Sequence, residues 1–302
     1  MTCGFLVLDK PAGLTSHACV ARVRKAFGLK RVGHGGTLDP AVTGVLPIAL
    51  GPATRLLPYL PGDKAYRATV QLGVRTTTDD LEGDCLERSD PPSSLTTPDL
   101  EMALNPFRGS IEQRPPVFSA VHVQGRRAYA LARAGEAVVL PARRVTLHRL
   151  ELLEWDPELG RLELEIQCSS GTYIRSLARD LGDSLGCGGA LARLRRTGAL
   201  GFALSQSVPL EALPREPALR DGLAHPLPPL LDPLQVLAHL PQHLLREEER
   251  PGWSCGQCQT SSQPWPLGTV VVVVAPDGKL AGLAKVEGAG VLQPRLVLHA
   301  TG

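Results

Sequence analysis

Gly33-His34-Gly35-Gly36-Thr37-Leu38-Asp39-Pro40-Ala41-Val42-Thr43-Gly44-Val45-Leu46-Pro47 is a loop by composition that runs straight into an apolar segment. Its glycines permit positive φ and a close approach of backbone to a ligand. Within the loop an imidazole, His34, and a carboxylate, Asp39, stand five residues apart. Val45, Leu46, Ile48, Ala49 and Leu50 then make an apolar run, the pattern of a buried strand. Functional side chains sit on loops that such a scaffold positions. A lone Asp-Pro turn is often only a backbone cap, so the reading depends on what surrounds it.

Upstream, Thr15 or Ser16 can cap a helix with Val20, Val23 and Phe27 as its apolar stripe. Arg22, Arg24 and Lys25 lie outside it and Gly28 stops it. Downstream, residues 64–74 alternate Tyr66, Ala68, Val70, Leu72 and Val74 against Arg67, Thr69 and Gln71, a half-buried strand led by a tyrosine. The acidic stretch Thr76–Pro92 reads as a surface loop, and Thr97-Pro98 opens a short helix. Residues 161–168 alternate again. Ser169-Ser170-Gly171-Thr172 then turns into a helix with Ile174, Leu177, Leu181 and Leu185 inward. Pro209 to Pro251 is proline-rich and reads as an extended linker with short helices. Beyond Thr269, three strand-like runs and the turn Pro276-Asp277-Gly278 suggest a small antiparallel barrel. Strands interspersed with helices and hairpins, without regular βαβ repeats, give an α+β fold with a mixed, largely antiparallel sheet flanked by helices.

The 302 residues, 43% of them apolar, suffice for two domains. A net charge of +2 hides segregation: residues 1–78 carry ten Lys/Arg against three Asp/Glu, and residues 79–102 one against eight. A basic half suits a phosphate-rich partner. Seven scattered cysteines and an N-terminus without an apolar core segment fit a reducing cytoplasm. Val270 to Val274, the longest β-branched run, is far too short to span a bilayer.

Several segments, in order, resemble motifs of the TruB family of pseudouridine synthases, bacterial enzymes that isomerise uridine 55 of tRNA. The Gly33–Pro40 loop is similar to the family's active-site loop, and Gly4-Phe5-Leu6-Val7-Leu8-Asp9-Lys10-Pro11-Ala12-Gly13 to its opening strand and Lys-Pro turn. Lys64-Ala65-Tyr66-Arg67 resembles its tyrosine motif and Gly171-Thr172-Tyr173-Ile174-Arg175 its arginine motif. Arg108-Gly109-Ser110-Ile111-Glu112-Gln113-Arg114-Pro115-Pro116 matches a further segment. Phe118 stands where the family usually has tyrosine, and Arg55 where lysine is common.

The resemblance implies Asp39 as catalytic nucleophile, with Tyr66 and Arg175 also catalytic. It implies that His34 helps to displace the target base, and that Tyr173 and Leu194 wall the pocket. Lys10 and Arg55 are then substrate-binding residues, the arginines around Leu194 face phosphate or solvent, and Arg126 and Arg127 contact RNA from an insertion at about 107–144 that grips the tRNA arm. The implied division is a catalytic domain over 1–235 and a small PUA-like β domain over 236–302. The partner is the T stem-loop of tRNA, bound by a monomer without guide RNA.

The residues agree with that chemistry. An aspartate buried near phosphates needs a cation. Arg175 sits in the first turn of its helix, where the dipole disfavours a guanidinium by a few tenths to ~1 kcal/mol unless an anion faces it. Tyr66 offers a face for stacking and a hydroxyl for proton transfer. No cofactor is needed, since the isomerisation is redox-neutral and consumes no water. His239-x3-His243 followed by Cys255-x2-Cys258 has the inventory of a zinc site. Pro241 spoils its helical geometry, however, and the family has no metal there. Ser16, His34 and Asp39 lack the G-x-S-x-G elbow of a hydrolase. Two alternatives remain: an RNA-folding chaperone, which would have no use for Asp39, Tyr66 and Arg175 together, and the guide-RNA-dependent relatives, from which the insertion and short C-terminal domain differ.

Overall fold

The computed structural model describes residues 2–91, 94–123, 125–214, 226–288 and 290–298. Its first part comprises β1 (Gly4–Lys10), α1 (Ser16–Phe27), β2 (Val32–His34), β3 (Thr43–Leu50), β4 (Lys64–Leu72), β5 (Val74–Thr76), β6 (Cys85–Arg88), α2 (Thr97–Leu104) and β7 (Gly109–Gln113). Next come β8 (His122–Val123), β9 (Arg126–Arg127), α3 (Ala128–Arg133), β10 (Arg143–Asp156), β11 (Arg161–Cys168) and α4 (Ile174–Ser184). The chain closes with β12 (Gly189–Ala199), β13 (Phe202–Ala203), β14 (Val208–Pro209), β15 (Gln242–Leu244), β16 (Gln259–Thr260), β17 (Val270–Val274), β18 (Leu280–Glu287) and β19 (Val291–Val297).

One mixed sheet runs in the order β14-β1-β3-β12-β4-β11-β10-β7, with β2 pairing to β3 and β13 to β12. Among the described residues of this sheet, only β1–β14 and β3–β12 are parallel. The apolar run on β3 is continuous because both faces are covered. Leu46, Ile48 and Leu50 pack with Val20, Val23 and Ala26 of α1. Val45 and Ala49, on the opposite face, pack with Val272, Leu283 and Leu296 of the C-terminal strands. β1 divides in the same way, Leu6 and Leu8 to one side, Phe5 and Val7 to the other. Tyr66, Ala68, Val70 and Leu72 of β4 meet Leu162, Leu164 and Ile166 of β11, and Ile174, Leu177 and Leu181 of α4 cover them. Thr15 caps α1 by accepting from the Ala18 N–H, and Gly28 ends it in the left-handed region.

The C-terminal strands form a five-stranded curled sheet, β15-β17-β18-β19-β16. Its β15 joins parallel to β17, so part of the expected linker is strand. Residues 215–225 of that linker lie outside the described residues. Two further expectations are corrected. The acidic Thr76–Pro92 stretch is not a plain surface loop, because β5 and β6 pair as a hairpin and Thr76 is buried. The edges of the 107–144 segment belong to the main sheet through β7 and β10, leaving 114–142 as the excursion from it. Among the described residues, no helix is long and apolar enough to cross a membrane.

Candidate active site

The parallel β3–β12 ladder is two residues long, Thr43 and Gly44 opposite Arg195 and Arg196. The loop from β2 reaches β3 at this junction. Gly44 takes φ 104°, and a Cβ there would lie 2.1 Å from the Arg196 carbonyl oxygen, so no other residue fits.

Five groups fix the loop backbone. The Ser16 hydroxyl accepts from the Leu38 N–H at 2.8 Å and donates to its carbonyl at 3.1 Å. Gly13 N–H donates to the Pro40 carbonyl at 2.9 Å, and Gly35 N–H to that of Pro47 at 2.8 Å. Lys10 Nζ donates to the carbonyls of Pro11, Leu14 and Pro40 at 2.9, 2.6 and 3.0 Å. Arg196 donates from Nε to Val45 O at 2.7 Å and from Nη2 to Gly36 O at 3.1 Å. The substrate-binding role expected of Lys10 is therefore corrected. Its ammonium is fully buried and bonded to three carbonyls, which makes it a brace for the loop.

Asp39 projects from this frame with its side chain 51% exposed, and Arg175 Nη2 lies 3.0 Å from its Oδ2. Arg175 is the second residue of α4, as expected, and is almost wholly buried. It has more partners than Asp39. Nη1 lies 3.5 Å from Asp80 Oδ2, and its two terminal nitrogens donate to the carbonyls of Thr78 and Phe118 at 3.1 Å each. Asp80 was missed because it lies in an acidic run that reads as solvated. The turn that presents it passes through Asp79, a non-glycine at φ 61°, a conformation aspartate tolerates better than most. Asp79 pairs with Arg179 at 2.8 Å, one turn along α4. Burial still pushes its carboxyl pKa upward despite that guanidinium.

Tyr66 is buried and stands opposite Arg196 in the β4–β12 register. Burial raises its phenol pKa to about 12, so it is a hydroxyl donor at neutral pH. The expectation that the arginines beside Leu194 face phosphate or solvent is corrected for Arg196 alone, since Arg193 is exposed and Arg195 partly so. Arg195 forms a two-pronged pair with Asp9 at 2.7 and 3.1 Å, and Arg196 has no exposed surface. Leu194 is half-buried and touches two core clusters. The His34 ring meets His17 edge-on, centroids 5.3 Å apart, and its Nδ1 is buried without a partner. Tyr173 caps α4, its N–H donating to Gln113 Oε1 at 2.8 Å.

The remaining expected residues stand apart. Arg55 is exposed and donates to the Val297 carbonyl at 3.2 Å. Arg126 pairs with Glu136 at 2.9 Å, and Arg127 donates to Ala120 O at 2.7 Å. None of these contacts reaches the Asp39–Arg175 pair. His239 bonds the Tyr59 carbonyl and Cys258 the Gln293 side chain. Among the described residues, no group of three potential metal ligands occurs.

A mixed, largely antiparallel sheet in which β3 and β12 pair over only two residues is the fold of a pseudouridine synthase, and it presents the Asp39–Arg175 pair. A chain of a Cbf5-Nop10-Gar1 complex superimposes with a TM-score of 0.69 at 25% identity, covering 98% of this chain and 85% of that one. A chain of an H/ACA ribonucleoprotein bound to a substrate RNA, at 23% identity and a TM-score of 0.70 over 98% of this chain and 85% of that one, shares the fold. The family model "TruB family pseudouridylate synthase (N terminal domain)" matches residues 24–174, and "tRNA pseudouridylate synthase B C-terminal domain" matches 175–237. The tRNA pseudouridine synthase B of Parasynechococcus marenigrum is 59% identical, covering 99% of this chain and 98% of the relative. That of Acaryochloris marina is 48% identical over 98% of this chain and 99% of the relative. The chain belongs to the TruB family of pseudouridylate synthases, isomerases of uridine in tRNA.

Proposed function

We propose that this protein isomerises uridine 55 in the T arm of tRNA, with Asp39 as nucleophile, acting as a monomer without a guide RNA. One observation carries the chemistry: Asp39 is half-open to solvent, while the arginine that holds it is almost wholly buried. The carboxylate is thus held in orientation yet free to meet a base extruded from its loop. The reaction breaks C1′–N1, forms C1′–C5, releases the proton of C5 and places one on N1, so nothing is gained or lost. Asp39 traps the electron-poor fragment as a nucleophile, and Tyr66 stacks or hydrogen-bonds the flipped base. His34 helps to displace the base, Leu194 and Tyr173 line the pocket, and Arg55, Arg126 and Arg127 meet phosphate. Residues 1–235 serve as catalytic domain and 236–302 as a small RNA-binding domain.

The test is Asp39→Asn, nearly isosteric but neither anionic nor nucleophilic. Pseudouridine would be mapped in tRNA from a deletion strain that carries the wild-type or the variant gene. The wild type should restore modification in the T arm, whereas the variant should bind tRNA and leave it unmodified. Turnover near the wild-type rate, or restoration at another position, would overturn the reading.

A further inference from the structure

Opposite Tyr66 lies a cation that no carboxylate among the described residues answers. Arg196 is 0% exposed, and among the described residues only Tyr66 supports its charge. Two of its nitrogens staple the loop at Val45 and Gly36. The third, Nη1, is buried without a hydrogen-bond partner of good geometry, on the side chain that faces Tyr66 across the β4–β12 register. Lys64 stands close by, for a Cβ added to Gly36 would touch both Arg196 Nη1 and Lys64 Cε, at 3.5 and 3.9 Å. Burial, then the Arg196 charge, lowers the Lys64 pKa.

A staple for two carbonyls does not require a charge. Burying a guanidinium without a counter-ion is costly, and a neutral amide would avoid that penalty. A buried cation with one nitrogen not committed to the loop is suited to a site in which negative charge develops during the reaction and is absent before it. Pseudouridine formation is such a reaction.

We infer that Arg196 is a positioning residue for the isomerisation, acting through the Tyr66 hydroxyl to stabilise the negative charge that collects on the uracil ring as C1′–N1 breaks. The inference rests on the proposed reading of Tyr66 as the residue that meets the flipped base. When the bond breaks, its electron pair stays with the ring and spreads over N1, O2 and O4. Arg196 Nη1–H donates to the phenol oxygen, and the phenol O–H donates to the base. No proton changes owner in this step, and Tyr66 remains a phenol. The same electrons then form C1′–C5. Lys64, which shares the Gly36 neighbourhood with Arg196 Nη1, reinforces the positive potential there.

Single-turnover rates on tRNA, RNA affinity and thermal midpoint would be measured for the wild type, Arg196→Met, Tyr66→Phe and the double variant. Arg196→Met should slow isomerisation ~10²-fold, the scale of losing one preorganised donor, with RNA affinity changed by less than about threefold. In the Tyr66→Phe background the same change should cost less than about threefold, because the relay is already cut. Equal losses in both backgrounds, or a Tyr66→Phe rate equal to wild type, would overturn the inference and leave Arg196 a staple only. If Arg196→Met does not fold, Arg196→Lys and Arg196→Gln decide. The charged lysine should retain the higher rate, and a glutamine variant as active as the lysine one would overturn the relay. A wild type inactive on tRNA would instead refute the proposed function, so the two failures are distinct.

Discussion

The loop that carries Asp39 and the excursion over 114–142 differ in how much of their geometry is settled before RNA arrives. The loop is bonded at Gly35, Gly36, Leu38 and Pro40 by side chains and backbone from α1, β1, β3 and β12. The excursion has a two-residue strand pair, the six-residue α3 and an Arg126–Glu136 ion pair about half exposed on both sides. Exposed pairs of that kind contribute about 0–1 kcal/mol, so on the proposed reading a phosphate displaces the glutamate at little cost. Chemistry needs preorganisation because a small misplacement is costly. Backbone recognition of an RNA stem tolerates adjustment, since it reads phosphates, shape and 2′-hydroxyls.

The contrast breaks most visibly at Arg175. Its replacement by alanine removes the donors to Thr78 O and Phe118 O and leaves the Asp80 carboxylate, only 20% exposed, without its cation. Breaking a buried pair typically costs about 3–5 kcal/mol. The half-open Asp39 adds little to this. Denaturant unfolding of Arg175→Ala should register a loss of that order together with loss of activity. A loss below ~1 kcal/mol would show that the site is not braced as described.

Ser16→Ala is a milder cut at the same frame. It strips the Ser16 hydrogen bonds from both the N–H and the carbonyl of Leu38, next to Asp39, and leaves a buried N–H unsatisfied, at a cost of about 1–3 kcal/mol. Because the aspartate then wanders, kcat should fall ~10-fold or more while KM barely moves. An unchanged kcat with lowered stability would mean that Ser16 serves folding alone.

Replacing Arg126 and Arg127 by alanine should do the reverse. Stability should stay within about 0.5 kcal/mol, as for exposed positions generally. The slope of log K against log salt should flatten by roughly 0.7–0.9 for each phosphate that is no longer neutralised, equally for any stem sequence. Normal binding at all salt concentrations, or a weakening that follows the base pairs, would remove the excursion from recognition.

The same contrast marks what the sequence made legible. Periodicity located β3, β4, β11 and α4, because their burial patterns are properties of a single segment. It also held two signals that went unused. Leu6, Leu8 and Lys10 share one face of β1, and Leu194 and Arg196 share one face of β12, so alternation already turned both cations inward. Asp80 offered no such signal. A carboxylate in an acidic run is solvated or paired according to where Arg175, 95 positions away, arrives in the fold. The strand Gln242–Leu244 is only three residues long, too short to carry a period, and is set by its partner β17.

The smallest expected effect concerns pH and probes the loop through His34. Burial first, then the neighbouring charges of His17 and Arg196, holds the His34 imidazole pKa below its ordinary 6.5. The folded protein therefore keeps this ring neutral at pH values where the unfolded chain takes up a proton. As pH falls below about 6.5, the unfolded state binds more protons than the folded one and stability declines, until the folded ring itself titrates and the slope levels. Wild-type unfolding free energy should thus drop between about pH 7 and about pH 5 more steeply than that of His34→Gln. Some slope must survive in the variant, because burial also lowers the pKa of His243 in the C-terminal sheet. His17→Ala should fall between the two, since it relieves only the second cause and leaves burial in place. Identical slopes for the wild type and His34→Gln would mean that the ring is already solvated in the folded protein, and that the loop is looser at its β2 end than at Asp39.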